Sequence, residues 1–249
     1  MLFDVIVFLL LGLVLGSFFQ VVGMRVPSGE PFAWSRSVCP HCRTTLQARD
    51  LWPVLSYLFT MGKCRYCGTR ISGQYVLVEL STAFLFVLAY FRYQFTLDTM
   101  LALLVLSLVM IVTITDLRYM RIPNAILLFF ASCLLLIRIF VAPYDPWWDP
   151  FLAALLSFSV LYGVMIMSGG GLGGGDVKLF AVLGLAFGLW DLLLVFFLST
   201  LFGTLSSLAA FASGHLKRGQ AFPFAPSIAL AGIVVLFIGD WLWGLYPVM

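Results

Sequence analysis

The stretch "SGGGLGGGDVKLF", Ser168 to Phe180, decides how this chain is read. Six glycines lead to an aspartate, and an apolar run resumes at once. Apolar segments at about 150–167 and 177–190 flank it. A carboxylate between two such segments points to a membrane protein. There, non-helical backbone is tolerated only inside protein or beside a wet cavity. The glycines let backbone run close to another chain or a substrate and leave N–H groups exposed beside Asp176.

Composition gives the same reading. Of 249 residues, 62% are hydrophobic and 10% are charged, whereas soluble domains carry about 25% charged residues. A water-facing surface of ordinary size is excluded. Apolar runs of about 17–22 residues mark candidate spans. They fall at about 3–23, 75–92, 98–115, 124–141, 150–167, 177–190, 192–212 and 226–245. The predicted fold class is therefore an all-α polytopic membrane protein with about eight transmembrane helices. The boundary between the sixth and seventh is set at Trp190-Asp191. The first run has no basic stretch ahead of it and no small-residue cleavage site, so it is read as a retained helix rather than a signal peptide.

Lysine and arginine set the orientation. Arg25, Arg36, Arg43, Arg49, Lys63, Arg65 and Arg70 lie in 24–74, Arg118 and Arg121 follow the third helix, Lys178 follows the glycines, and Lys217 and Arg218 precede the last helix. These segments alternate along the chain, which makes them cytoplasmic and puts both termini outside. Trp147, Trp148, Trp241 and Trp243 then fall near the outer interface. The basic excess follows this orientation rule, so no nucleic-acid partner is expected and membrane lipid is. The expected parts are a first transmembrane helix (1–23), a cytoplasmic metal-binding domain (24–74) and a transmembrane core (75–249).

Segment 24–74 contains "CPHC" and "CRYC". Cys39, Cys42, Cys64 and Cys67 supply four thiolates, enough for a closed tetrahedral zinc site. Such a site is structural, because no coordination position is left for chemistry. Two disulfides are the alternative, disfavoured in a reducing cytoplasm. His41 is read as a solvated spacer and Cys133 as packing within a helix.

Most acidic residues fall at the outer ends of helices or in the Cys-bearing segment. Glu79, Asp116 and Asp176 remain at the inner edge of the membrane, on different helices, where a carboxylate is costly and functional by default. The plainer readings are an N-cap for Asp176 and an interfacial position for Asp116. The literal G-x-G-x-x-G at Gly169–Gly174 follows a helix rather than a strand, so dinucleotide binding is set aside. Two aspartates facing one cavity can share a proton, one activating water while the other donates. Asp176 starts a helix and Asp116 ends one, so the helix dipoles make Asp176 the expected base and Asp116 the expected donor.

These residues resemble those of bacterial type IV prepilin peptidases, the bifunctional leader peptidase and N-methyltransferase family. "GSFFQVVGMRVP" (16–27) is similar to the family's entry motif, with Gln20 where asparagine is usual. The two CxxC pairs and "YVLVEL" with Glu79 match. "TDLRYMRIPN" carries Asp116, and "GGGDVKLF" carries the GxGD motif as Gly173, Gly175 and Asp176. "FPFAPSIAL" has Ala225 in place of the usual glycine. GxGD alone would also fit presenilin-like or preflagellin peptidases, which lack the Cys-bearing segment. The resemblance implies a GxGD aspartyl protease of the bacterial inner membrane. It implies removal of a short basic leader from type IV pilins or type II secretion pseudopilins, and methylation of the new N-terminus from S-adenosylmethionine.

Two other classes fit parts of the pattern. A glycine-broken helix with an intramembrane acid also suits an ion or solute transporter, although no inverted repeat is visible and the acids cluster at one face. A zinc-organised membrane scaffold predicts that neutralising both aspartates leaves function intact.

Overall fold

A computed structural model describes residues 1–32, 36–141, 144–169, 171–214, 217 and 222–244. His215 and Arg218 of the last inner loop lie outside them. Among the described residues the chain is helical, with only two isolated bridges, Val38–Thr45 and Lys63–Arg70. The helices are α1 (Leu2–Arg25), the short α2 (Leu55–Phe59), α3 (Gln74–Tyr93), α4 (Leu97–Tyr119), α5 (Asn124–Leu136), α6 (Asp149–Met167), α7 (Gly174–Ala212) and α8 (Ala225–Gly244). All but α2 are long and apolar enough to cross a membrane, α5 together with its continuation to Val141. The chain is a multi-pass membrane protein.

The seven long helices hold eight spans, because α7 is a hairpin. Its 39 residues would reach about 58 Å if straight, against roughly 30 Å of hydrocarbon. The ring centroids of Phe180 and Phe196 lie 5.7 Å apart, where a straight helix would separate them by about 24 Å. The chain reverses at Gly188, whose φ of 74° and ψ of −175° no helix contains. The expected boundary at Trp190-Asp191 therefore moves back to Gly188. Only glycine is suited to this point: φ is positive, and an added Cβ would overlap the Asp149 carboxylate and press on the Tyr144 ring.

Three side chains close the backbone around the reversal. Arg138 donates to the Leu185 and Ala186 carbonyls at the end of the first limb. Asp149 Oδ2 accepts the Leu189 N–H at 2.8 Å at the start of the second. The Tyr144 hydroxyl donates to the Phe187 carbonyl at 3.4 Å. A cation thus meets the carbonyl end of one limb and a carboxylate the amide end of the other, as the helix dipole favours.

The chain divides into two compact units, Met1–Arg92 and Tyr93–Met249. In the first, α1 and α3 pair antiparallel through small residues. Gly12 meets the Ala83 backbone, and Gly16 faces Glu79 and Thr82. In the second, α4 is largely enclosed, with Val105, Leu106, Leu108, Val109 and Val112 buried. It packs on α8, and Gly184 of α7 lies against the Ala153–Ala154 backbone of α6.

Candidate active site and metal centre

Asp116 lies in the last turn of α4 and is buried. Met120 closes that helix in the left-handed region, donating its N–H to the Asp116 carbonyl at 2.8 Å. The chain then turns through Ile122 and Pro123 into α5. This turn forms the seat of α7. The Ile122 side chain packs against Gly175, where an added Cβ would lie 3.1 Å from Ile122 Cβ. Lys178 Nζ donates to Asn124 Oδ1 at 2.9 Å. Two contacts just downstream of Asp116 thus fix the first turn of α7, which carries Asp176 as its third residue.

Each glycine of the GxGD motif has a separate steric reason. Gly175 makes room for Ile122. Gly173 makes room for the aspartate itself: a Cβ there would lie 2.9 Å from Asp176 Oδ2. The Asp176 carboxylate therefore folds back over the N-terminus of its own helix. It is half-buried and makes no hydrogen bond among the described residues. It lies within electrostatic range of Asp116. Arg118 and Arg121 are exposed, and among the described residues no ion pair reaches either carboxylate.

The Asp116 carboxylate is held from a third direction. Its Oδ2 accepts the Ala225 N–H at 3.0 Å, and the Phe224 N–H also faces it. Those amides open α8, which is positioned where the Phe224 ring fills the space left by Gly203 of α7. Asp116 therefore sits at the C-terminus of α4 and the N-terminus of α8. Helix dipoles no longer separate the two aspartates as sequence suggested, because each carboxylate faces a helix N-terminus. No pattern around position 116 showed this second helix end. The Ala225 amide is the part of the site that sequence reasoning missed.

Glu79, in the first unit, is buried on α3. Its Oε2 accepts the Val54 N–H at 2.7 Å, and the Ser17 hydroxyl of α1 lies beside it. Val54 has φ of 59° and ψ of −48°, a sparsely populated turn conformation that costs about 1–3 kcal/mol. The Glu79 bond helps hold it. Gln20 makes a comparable tie, donating to the Tyr75 carbonyl at 2.8 Å.

In the same unit the four cysteines come together. The Sγ atoms of Cys39, Cys42, Cys64 and Cys67 lie within 4.8 Å of one another, with Cys39 and Cys67 at 3.9 Å. A tetrahedron with metal–sulfur bonds near 2.3 Å has edges of about 3.8 Å, so the set fits one tetrahedral metal ion. All four are free thiols.

The two halves of the cluster are one motif used twice. Arg43 and Gly68, each following a second cysteine, adopt φ of 55° and 71°. Their N–H groups return to the Cys39 and Cys64 carbonyls at 2.9 Å, and the Cys39 and Cys64 N–H groups bond the Thr44 and Thr69 carbonyls at 3.0 and 2.8 Å. Cys67 Sγ and Thr69 Oγ1 are in contact at 3.4 Å. The Thr69 hydroxyl and backbone N–H hold the Cys67 thiol down to about 6, and those of Thr44 lower Cys42. Cys42 and Cys67 are thereby predisposed to the thiolate that a metal needs, whereas burial and the neighbouring Cys39 and Cys67 thiols push Cys64 up. Asp50 braces the second knuckle, accepting Arg65 Nε at 2.8 Å and the Tyr66 hydroxyl at 2.9 Å. Burial pushes its carboxyl up, but these bonds and the Gln47 N–H outweigh it and leave it below the usual range.

Residues 10–93 match the Bacterial Peptidase A24 N-terminal domain, and residues 103–208 match the Type IV leader peptidase family. The chain is 43% identical to a prepilin leader peptidase/N-methyltransferase of Bacillus subtilis (strain 168), over 92% of each chain. It is 28% identical to one of Neisseria gonorrhoeae, over 94% of this chain and 90% of that one. A third, of Aeromonas salmonicida (strain A449), is 32% identical over 82% of this chain and 72% of its own. No solved structure matches. With both halves of the chain matched in order, and the similarity running almost end to end, the protein belongs to the type IV leader peptidase family.

Proposed function

We propose that this chain cleaves the leader of type IV prepilins or pseudopilins with Asp116 and Asp176, and then methylates the new N-terminus. The peptidase reading is supported by two carboxylates borne on separate helix ends of one unit, within electrostatic range of each other and with no ion pair to either among the described residues. Like charges so placed favour a state in which the pair holds one proton. The ionised carboxylate takes a proton from water as its oxygen attacks the scissile carbonyl. The protonated one then supplies a proton to the departing amine, and the C–N bond breaks. The α8 amides fix Asp116, whereas Asp176 is free to meet the water and the substrate.

The segregation of lysine and arginine supports a bacterial inner-membrane protein with its termini outside and both aspartates at the cytoplasmic face. A prepilin has a soluble leader before an apolar helix, so its scissile bond lies at that same interface. Cys39, Cys42, Cys64 and Cys67 are proposed to bind one structural zinc, which supplies folding energy rather than chemistry. Glu79 is proposed as a positioning residue that ties the segment carrying this centre to α3. The methyl donor is proposed to be S-adenosylmethionine, and no residue above is assigned to it.

The test is mass spectrometry of a purified prepilin incubated with the full-length protein, with and without S-adenosylmethionine. The expected products are the mature pilin, and the mature pilin heavier by one methyl group when the donor is present. An intact precursor after prolonged incubation overturns the peptidase reading. A mature pilin that gains no methyl group overturns only the second activity.

A further inference from the structure

The stretch LWPVLSYLFTM, residues 51–61, inverts the pattern of a water-facing surface. Its exposed residues are Leu51, Trp52, Leu55, Leu58, Phe59 and Met61, with Phe59 75% and Met61 86% exposed. Its polar residues, Ser56, Tyr57 and Thr60, are half-buried, as are Pro53 and Val54. The Thr60 hydroxyl donates to the Ser56 carbonyl at 2.8 Å, and Tyr57 packs over Gly62. The backbone is also largely closed on itself. Ser56, Leu58, Thr60 and Met61 donate to Trp52, Val54, Ser56 and Leu58. Pro53 has no N–H to satisfy, and the Val54 N–H is taken by Glu79. Segments with satisfied backbone and outward apolar side chains suit lipid rather than water.

We propose that residues 51–61 lie in the headgroup–acyl boundary of the membrane crossed by α1 and α3. Three observations favour lipid as the occupant. The first is depth. Val54 bonds Glu79, the sixth residue of α3, about 7.5 Å along the helix from its start, and Tyr57 lies against Gly73 just before that start. Interfacial segments settle about 5–10 Å into that boundary. The second is charge. Exposed Arg49 and Lys63 flank the stretch, and 24–74 holds seven basic residues against two acidic ones, complementary to an anionic phospholipid surface. The third is the aromatic pair Trp52 and Phe59, side chains suited to that boundary. The inference rests on α1 and α3 being membrane spans and is independent of the peptidase reading. It makes the cysteine knuckles a module held against the membrane surface instead of one suspended in the cytoplasm.

The test uses the full-length protein in nanodiscs of phosphatidylethanolamine and phosphatidylglycerol. A photoreactive benzophenone amino acid replaces Leu58, Phe59 or, as a control, exposed Thr45. After irradiation, positions 58 and 59 are expected to give phospholipid adducts several-fold above position 45. In the unaltered protein, hydroxyl-radical oxidation at Met61 is expected to be several-fold slower than at free methionine. Adducts to residues 93–249, adducts to a second copy, or no lipid adduct above the control overturn the proposal. Fast oxidation of Met61 overturns it as well.

Discussion

Asp116 Oδ2 accepts the Ala225 N–H at 3.0 Å across 109 positions of sequence, so the last turn of α4 holds the first turn of α8. The same side chain is thus a proposed catalytic group and a tertiary cap. Asp176, which caps nothing, differs from it in that respect. Asp116→Asn and Asp176→Asn should each lower the rate of prepilin cleavage by at least about a hundredfold. Asp116→Ala should also cost about 0.5–2 kcal/mol of stability, the usual loss for a removed cap. Asp176→Ala should leave stability unchanged. Thermal unfolding in one detergent distinguishes them. An equal loss of stability in both alanine variants would remove the capping role.

Gly173→Ala tests the steric reading of the GxGD motif. Its Cβ meets only the tip of the Asp176 side chain, at 2.9 Å. The carboxylate can swing away, so stability should change by less than about 0.5 kcal/mol while cleavage falls sharply. Gly175→Ala presses on Ile122 Cβ instead and should lower the melting temperature along with the activity. Full activity in Gly173→Ala would show that the orientation of Asp176 does not matter.

Gly188→Ala should fail differently. With φ of 74° and ψ of −175° the position lies in a region open almost only to glycine, which costs an alanine about 1–3 kcal/mol, and its Cβ runs into the Asp149 carboxylate. A loss above about 2 kcal/mol is expected, read as a lower yield of folded protein and early unfolding. Gly163→Ala is the control, because its added Cβ meets nothing within 4 Å.

The cysteine centre should hold about one zinc per chain by elemental analysis. Binding needs thiolates, and Cys67 ionises near 6 with the help of Thr69. Protons should therefore displace metal as pH falls through and below that value. Thr69→Val removes the hydroxyl, raises the thiol toward its ordinary value and weakens the metal about tenfold or more. The midpoint of metal loss should then move to higher pH, as followed by release to a chromophoric chelator. A midpoint that stays in place or moves to lower pH would reject this role for Thr69.

Local chemistry determined much of this protein from sequence alone. A lipid-soluble composition leaves helices as the way to satisfy its backbone, so the length of each apolar run placed the spans. Ligand type and the CxxC spacing identified the four cysteines before their Sγ atoms were seen within 4.8 Å of one another. Asp116 and Asp176 stood out because a carboxylate at the membrane edge is expensive. Tertiary structure decided what depends on residues far apart in the chain. The sequence around Trp190-Asp191 could not move the reversal to Gly188, because the clamps Arg138, Tyr144 and Asp149 lie some forty to fifty positions earlier. Nor could the neighbours of Asp116 show that its carboxylate would meet the start of α8. A helix end is legible locally, but the helix end that it faces is set by packing, here by Phe224 filling the space beside Gly203.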